Sequence, residues 1–445
     1  MAQDEKINDV VAQGTIGKEY QIRFSNSMID NSKIWYKDNL ELFLAKEGKT
    51  TYFEIEAPTQ EKIKTRIKNA SKFLDFLPKN VLYNGIESNQ HDYKSPVEFF
   101  DKKILKFSDK APELVNVAIQ ESLEHGASKV AGVLYFGHSE TNLLTSYGNE
   151  GSYLGSSYRF TIRSFVGPES SGQGLACGRD LTGVENSLIN AGSSAGEIAK
   201  MAVGGTQGTP GRYDLIMSPT VAANVLGQLF DGLNPLKILI YMSPLKYEHI
   251  GKQIASKEFS VSDDALLNEG LGSRPFDVEG TPKGKTPIFS KGILERLLQN
   301  TSTSIMDKVE NTGNSIFFDF GVGTKFLAPG PSNIVVEGGD YALEEIIAES
   351  KKPTIYITSN WYTRFTNIRG GVFSTIPRDG MFLIENGEIQ KPIRKLRLSD
   401  NILRICSNID AIGKDVNQIY WWEVPTPTFI PTIKVKDCVL TAATQ

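Results

Sequence analysis

The stretch TYFEIEAPTQEKIKTRIKNASKFLDFL, Thr51–Leu77, decides the fold class, because its apolar residues change period partway along. Thr51 to Glu56 is β-rich and reads as a strand. After Ala57-Pro58, the residues Ile63, Ile67, Ala70, Phe73, Leu74 and Leu77 recur at helical spacing and form one apolar stripe. Upstream, Tyr20 to Phe24, Lys33 to Tyr36 and Leu40 to Ala45 are further β-rich runs separated by turn residues. A hairpin sheet covered by a helix follows, which is an α+β layer.

Further along the chain, Pro112 to His125 predicts a second helix with Leu114, Val117, Ala118 and Leu123 inward and Gly126 as its cap. Strands are expected at Val130 to Phe136 and Tyr158 to Val166. Val184 to Val203 reads as a helix of small residues, able to pack closely at some cost in propensity. The breaker-dense run Gly204 to Gly211 (GGTQGTPG) predicts a boundary between an N-terminal α+β domain, 1–205, and a mostly β C-terminal domain, 206–445. In the second domain Asn386-Gly387 supplies the positive φ angles of a type I′ hairpin. Glu279 to Pro287 reads as another hairpin, and Asp340 to Glu349 as a helix.

Composition narrows the function classes. The 445 residues are 40% hydrophobic, enough for one large core or two ordinary ones. The N-terminal MAQDEKINDVVAQG mixes charges of both signs without an apolar run, so neither signal peptide nor membrane span is expected and the cytoplasm is the expected compartment. Charges are dispersed around a formal net of −4, whereas nucleic-acid affinity needs clustered Lys and Arg. The one basic run, Lys391 to Arg397, alternates like a solvated strand face. Three widely spaced cysteines, Cys177, Cys406 and Cys438, suit packing better than a disulfide framework or metal knuckle.

No familiar catalytic constellation emerges. His91, His125, His138 and His249 are isolated and make no H-E-x-x-H pair, the spacing that faces two imidazoles on one metal. Gly172 to Gly178 (GQGLACG) has the glycines of a phosphate loop, but its distance from the next helix is wrong for a dinucleotide fold. There is no G-x-S-x-G elbow. Trp361-Tyr362 and Trp421-Trp422 suit an interface on β elements.

Several segments, in this order, carry a resemblance over nearly the whole chain. They are PGRYDLIMSP (Pro210–Pro219), GLGSRPFDVEGTP (Gly270–Pro282), Pro331-Ser332-Asn333, FSTIPRDG (Phe373–Gly380), FLIENGE (Phe382–Glu388) and IDAIGKD (Ile409–Asp415). Together they resemble the TldD/PmbA family, once labelled modulators of DNA gyrase, and GLGSRPFDVEG is similar to the TldE (PmbA) kind. The resemblance implies a PmbA/TldD-like fold and a heterodimer in which the TldD kind is the zinc peptidase. Its helix carries H-E-x-x-x-H, completed as a metal site by a later cysteine.

Here the corresponding helix opens with Ser218-Pro219, a good cap followed by proline at the first helical position. Counted from Pro219, Gly227 and Gly232 stand where the histidines would be and Gln228 where the glutamate would be. None supplies a ligand or base, so water activation fails at both. Cys438 lacks the glycine-rich context of the third ligand.

The resemblance therefore implies a non-catalytic, TldE-like subunit, with no metal of its own and zinc in a TldD-like partner. The pair would degrade peptides or unfolded segments held as an added strand in an enclosed chamber. Arg274, Asp277, Tyr362, Arg364 and Arg378 are the candidate partner- or peptide-binding groups. Two other readings stay open: a self-sufficient homodimeric metallopeptidase using a metal near Glu248-His249 or Cys438, and a peptide-binding module without protease activity.

Overall fold

A computed structural model describes residues 6–93 and 98–443. Its first sheet begins with β1 (Asp9–Ser25), β2 (Met28–Lys46) and β3 (Lys49–Glu56). Two-residue turns at Asn26-Ser27 and Glu47-Gly48 join them, with positive φ at all four residues. That geometry matches the twist of paired strands. The four expected runs are therefore three strands, two of them 17 and 19 residues long. Lys33–Tyr36 and Leu40–Ala45 are one strand, because the polar residues between them break the apolar alternation without breaking the ladder from Asp9–Ala45 to Ser25–Met28.

The helix read from Thr51–Leu77 forms as α1 (Gln60–Phe76), capped by the Thr59 side chain accepting from Lys62 N. It buries Ile67, Ala70 and Leu74 against Leu44, but Phe73 stays 54% exposed, at the edge of the stripe. The sheet continues through α2 (Ala111–Glu124), β4 (Lys129–Thr145), β5 (Glu150–Gly167), β6 (Ser170–Gly178) and α3 (Val184–Met201). Its order is β3-β2-β1-β4-β5-β6, antiparallel throughout. In α2 the buried face is Val115, Ala118, Ile119 and Ser122, displaced from the expected Leu114, Val117 and Leu123. Helices α2 and α3 close over Phe24, Phe136 and Phe160.

Gly172 to Gly178, expected as a loop, is edge strand β6. Its glycines serve packing: a Cβ on Gly174 would lie 1.9 Å from Ala191 O of α3. Only a residue without a side chain lets the two backbones approach this closely.

After the glycine-dense run come β7 (Thr206–Gln207), β8 (Gly211–Met217), α4 (Pro219–Phe230) and α5 (Pro235–Leu239). Next are β9 (Val261–Asp264), β10 (Lys285–Ser290), β11 (Ile293–Leu294), α6 (Thr301–Asp307), β12 (Ser315–Asp319), β13 (Lys325–Pro329), β14 (Ile334–Val336) and α7 (Leu343–Ala348). The last part holds β15 (Thr354–Asn367), β16 (Val372–Glu385), β17 (Glu388–Arg394), β18 (Leu396–Asn401), α8 (Ile402–Ser407), β19 (Ile409–Ile412), β20 (Asn417–Trp421), β21 (Val424–Ile430) and β22 (Ile433–Ala442).

Strands β15, β8, β22, β18 and β16 pair in that order, and β16 pairs back onto β15, so the path closes into a ring. A second sheet runs β11-β10-β9-β14-β21-β20. The Asn386-Gly387 turn forms as expected, with φ of 55° and 84°. The other expected hairpin does not. Glu279 to Pro287 is a turn folded around the Asp277 side chain, and β10 pairs instead with β9 and β11. The basic run Lys391 to Arg397 is split between β17 and β18 at Lys395, which has a φ of 61°.

The largest core surrounds α4, whose Val221, Ala222, Val225, Leu226 and Leu229 are all fully buried. A smaller core joins the chain's halves, packing Val11, Phe43 and Leu143 against Phe276, Val278 and Leu327. Among the described residues, no helix is long and apolar enough to cross a membrane.

Candidate functional site

Helix α4 is apolar nearly all round, so its register is set by burial on every side but one. Ser218 Oγ caps it by accepting from Val221 N and donates to Thr358 O, tying its start to β15. The open side is at Gly227, where an added Cβ would meet nothing within 4 Å. Gly227 and Gln228 line a cavity of about 330 Å³ together with Asn224, Arg364, Trp422 and Glu423.

Gly232 is not part of that wall. The helix tightens into a 3₁₀ turn over Asp231–Leu233, and a Cβ on Gly232 would sit 2.7 Å from Ser243 Oγ. Only two of the three motif positions therefore face one space.

The residues present do not fit a metal ion. Gly227, Gln228 and Gly232 offer no anionic or imidazole donor, and the two carboxylates on the cavity are already engaged. Glu423 is buried and accepts from Tyr362 N at 3.0 Å, from Asn224 Nδ2 at 3.5 Å and from Arg364 Nη1 at 3.4 Å. Asp231 pairs with Lys237. Among the described residues no cluster of three or more His, Cys, Asp or Glu is placed to hold a metal.

The alternative metal positions fare no better. His249 Nδ1 accepts from Lys246 N, and Glu248 pairs with Lys246 on the surface. Cys438 is buried in β22, where loss of solvent pushes its thiol pKa up and disfavours the thiolate that binds metal. Cys406 is likewise buried, its thiol pushed up to about 12.

Beside the cavity the structure gathers what the sequence left as two separate aromatic pairs. Trp361 and Trp422 lie 5.7 Å apart, Tyr362 and Trp422 6.0 Å, and Trp421 and Trp422 5.5 Å. Trp422 is 57% exposed and Tyr362 49%. Tyr362 sits at a bulge of β15 with a φ of 58°, a left-handed conformation that costs a non-glycine residue about 1–3 kcal/mol.

Arg163 and Arg378 stack on Trp361 at 4.6 and 5.3 Å, an arrangement in which the ring face attracts the cation. Arg163 is anchored by the buried Asp379 at 2.6 Å. Tyr362, Arg364 and Arg378 thus form one exposed aromatic and cationic rim. No sequence motif marked Arg163, Asn224 or Glu423, because each acts through residues more than a hundred positions away or across the bulge.

The other two candidates lie elsewhere. Asp277 is fully buried: Oδ1 accepts from Glu279 N and Thr281 N, and Oδ2 from Ser315 N. In the structure its carboxylate is engaged in holding a turn, away from the rim of Tyr362, Arg364 and Arg378. Burial raises its pKa and, with the charge of Asp277, pushes Glu279 up to about 8, while burial brings Lys283 down to about 8.

Arg274 lines a second, larger cavity of about 530 Å³, between β1, β2, β4 and β5 on one side and the loops 270–274 and 329–332 on the other. The two cavities share Phe230, Asp231, Pro331, Pro425 and Thr426 and are therefore adjoining. His138, within β4, also lines the larger one; burial and Lys18 lower its pKa.

Residues 210–442 match the family described as PmbA/TldA metallopeptidase C-terminal domain. A metalloprotease from Methanothermobacter thermautotrophicus is 23% identical over 329 residues, 71% of this chain and 70% of that protein. The fold is that of TldE from Thermococcus kodakarensis, with a TM-score of 0.83, 17% identity and 98% of each chain covered. It is also that of a Thermotoga maritima protein named as a modulator of a DNA gyrase, with a TM-score of 0.84, 20% identity and 99% and 97% covered.

Proposed function

Because this chain belongs to the TldD/PmbA family of metallopeptidase-related proteins, we propose that it is the non-catalytic, TldE-like subunit of a heterodimeric zinc peptidase acting on peptides or unfolded segments. The observation carrying the reading is the open wall at Gly227 and Gln228, where the family's motif would place ligand and base and this chain has neither. Zinc and hydrolysis then belong to a TldD-like partner, and the pair to the cytoplasm.

The chain's own part is to hold substrate. Two adjoining cavities give an extended peptide a path longer than a single side-chain pocket. The rim of Tyr362, Trp422, Arg364 and Arg378 supplies rigid aromatic area with charged edges, the composition found at anchoring points of interfaces. Glu423 fixes two of these groups by accepting from Tyr362 N and Arg364.

Reconstitution tests the reading. The purified chain, mixed with a relative from the same organism that keeps H-E-x-x-x-H, is expected to form a stable complex that cleaves peptides when neither component does so alone. Substituting the partner's motif histidines should abolish this activity. Cleavage that survives that substitution would overturn the assignment, and failure to form a complex would leave a peptide-binding module.

A further inference from the structure

We propose that the larger cavity is a carboxylate-binding subsite, in which the Arg274 guanidinium and the Ser332 hydroxyl receive a carboxylate of the bound peptide; this rests on the peptide-handling role proposed above. Both groups are donors left without an acceptor. Arg274 Nε is buried without a hydrogen-bond partner, and no ion pair among the described residues engages its guanidinium. Ser332 is 2% exposed, and its Oγ also has no partner. Buried polar atoms in native proteins are nearly always paired, whether within the chain, by water or by a ligand, so two unpaired donors on side chains that line one cavity are available to an acceptor brought there.

The donors are rigidly mounted. Gly272 N donates to Asn333 Oδ1 at 2.8 Å, and a Cβ on Gly272 would lie 2.0 Å from Ser332 O, so the two loops are interlocked. Arg179 stiffens the first loop from below, donating to Gly270 O, Leu271 O and Ser273 O. Asp263, behind the Ser332 backbone, is already used: its oxygens accept from Ser332 N and Asn314 Nδ2.

Charge points the same way. Lys37 and Lys237 are offset by Glu19 and Asp231. Arg179, 5% exposed, gives its hydrogen bonds to backbone carbonyls, and among the described residues no acid pairs with Lys18, which lies over the Tyr36 ring. Arg179, Arg274 and Lys18 thus leave uncompensated positive charge around a partly enclosed space, where attraction for an anion exceeds that in open water. A guanidinium fork matches the two oxygens of a carboxylate, with the hydroxyl as a further donor. The cavity is larger than one anion needs, its walls include Pro329, Pro331 and Pro425, and it opens toward the Gly227 cavity, so the carboxylate arrives with chain attached.

The test measures binding to the isolated full-length chain by calorimetry at low and moderate salt. The probes are an acetylated heptapeptide of Ala, Ser and Val with a free C-terminus, its C-terminal amide, and the amide carrying one internal Glu. At least one carboxylate-bearing peptide should bind about tenfold tighter than the plain amide, as expected of a charge-assisted pair. The preference should shrink as salt rises and vanish in Arg274→Gln. Ser332→Ala removes a hydroxyl that makes no bond within the chain, so it should melt like wild type yet lose part of the preference. Which peptide gains tells a terminal carboxylate from a side-chain one. Equal affinity for all three overturns the subsite while leaving peptide binding intact. No binding of any of them, alone or in the reconstituted complex, overturns the peptide-handling role itself.

Discussion

Asp277 lies in GLGSRPFDVEG three positions after Arg274, yet its carboxylate is engaged with backbone while the Arg274 guanidinium lines the larger cavity. Asp277 satisfies three buried backbone N–H groups, so Asp277→Ala should cost about 3–5 kcal/mol in chemical unfolding, the scale of breaking a buried polar network. An effect on peptide affinity without loss of stability would contradict its structural role. Its neighbour Glu279 titrates near 8 in the fold against an ordinary 4.5. Between these values the folded chain holds a proton that the unfolded chain has lost, so this group's contribution to stability falls as pH rises from 4.5 to 8. Lys283 acts in a higher window, where its depressed pKa makes stability rise between about 8 and 10.5. Glu279→Gln should flatten the decline of melting temperature between pH 5 and 8; an unchanged slope would show that another group causes it. A motif tells which residues travel together, and burial then separates those engaged in holding the turn from those left exposed to a cavity.

Among the elements, α4 was legible in advance at its Ser218-Pro219 start, because capping is a local property. Its end was not, since the 3₁₀ turn that removes Gly232 from the cavity depends on packing against Ser243 and Pro244, distant in sequence. The distinction is testable. Gly227→His fills open space and gains helix propensity, so its stability should stay within about 1 kcal/mol of wild type. Gly232→His meets Ser243 and Pro244 and should cost about 1–3 kcal/mol. Equal effects in thermal melts would contradict the observed helix end. Strands were harder to delimit than helices. The polar centres of β1 and β2 hide continuous ladders, and the glycines of β6 mimic a phosphate loop while serving contact with α3. Alternation reports which face is buried and is silent where neither face is.

At the scale of the whole molecule, the α+β layer and β-rich second half were readable, but their joint was not. Val11, Phe43 and Leu143 from the first sheet share a core with Phe276, Val278 and Leu327, and Lys325 reaches Glu41 at 2.8 Å. The larger cavity lies along this joint, so its lining from β1, β4 and the loops near Arg274 and Ser332 appears only once the halves meet. Short-range pattern carries no signal for such a site. The same holds for the rim, where Trp361 and Trp422 meet although 61 positions apart in sequence.

Metal analysis decides whether this chain holds catalytic zinc of its own. The isolated chain would be saturated with zinc, freed of excess by gel filtration, and assayed for bound metal and peptidase activity on the same fractions. Well under one zinc per chain and no cleavage above background are expected. Stoichiometric zinc with cleavage by the isolated chain would contradict the non-catalytic assignment.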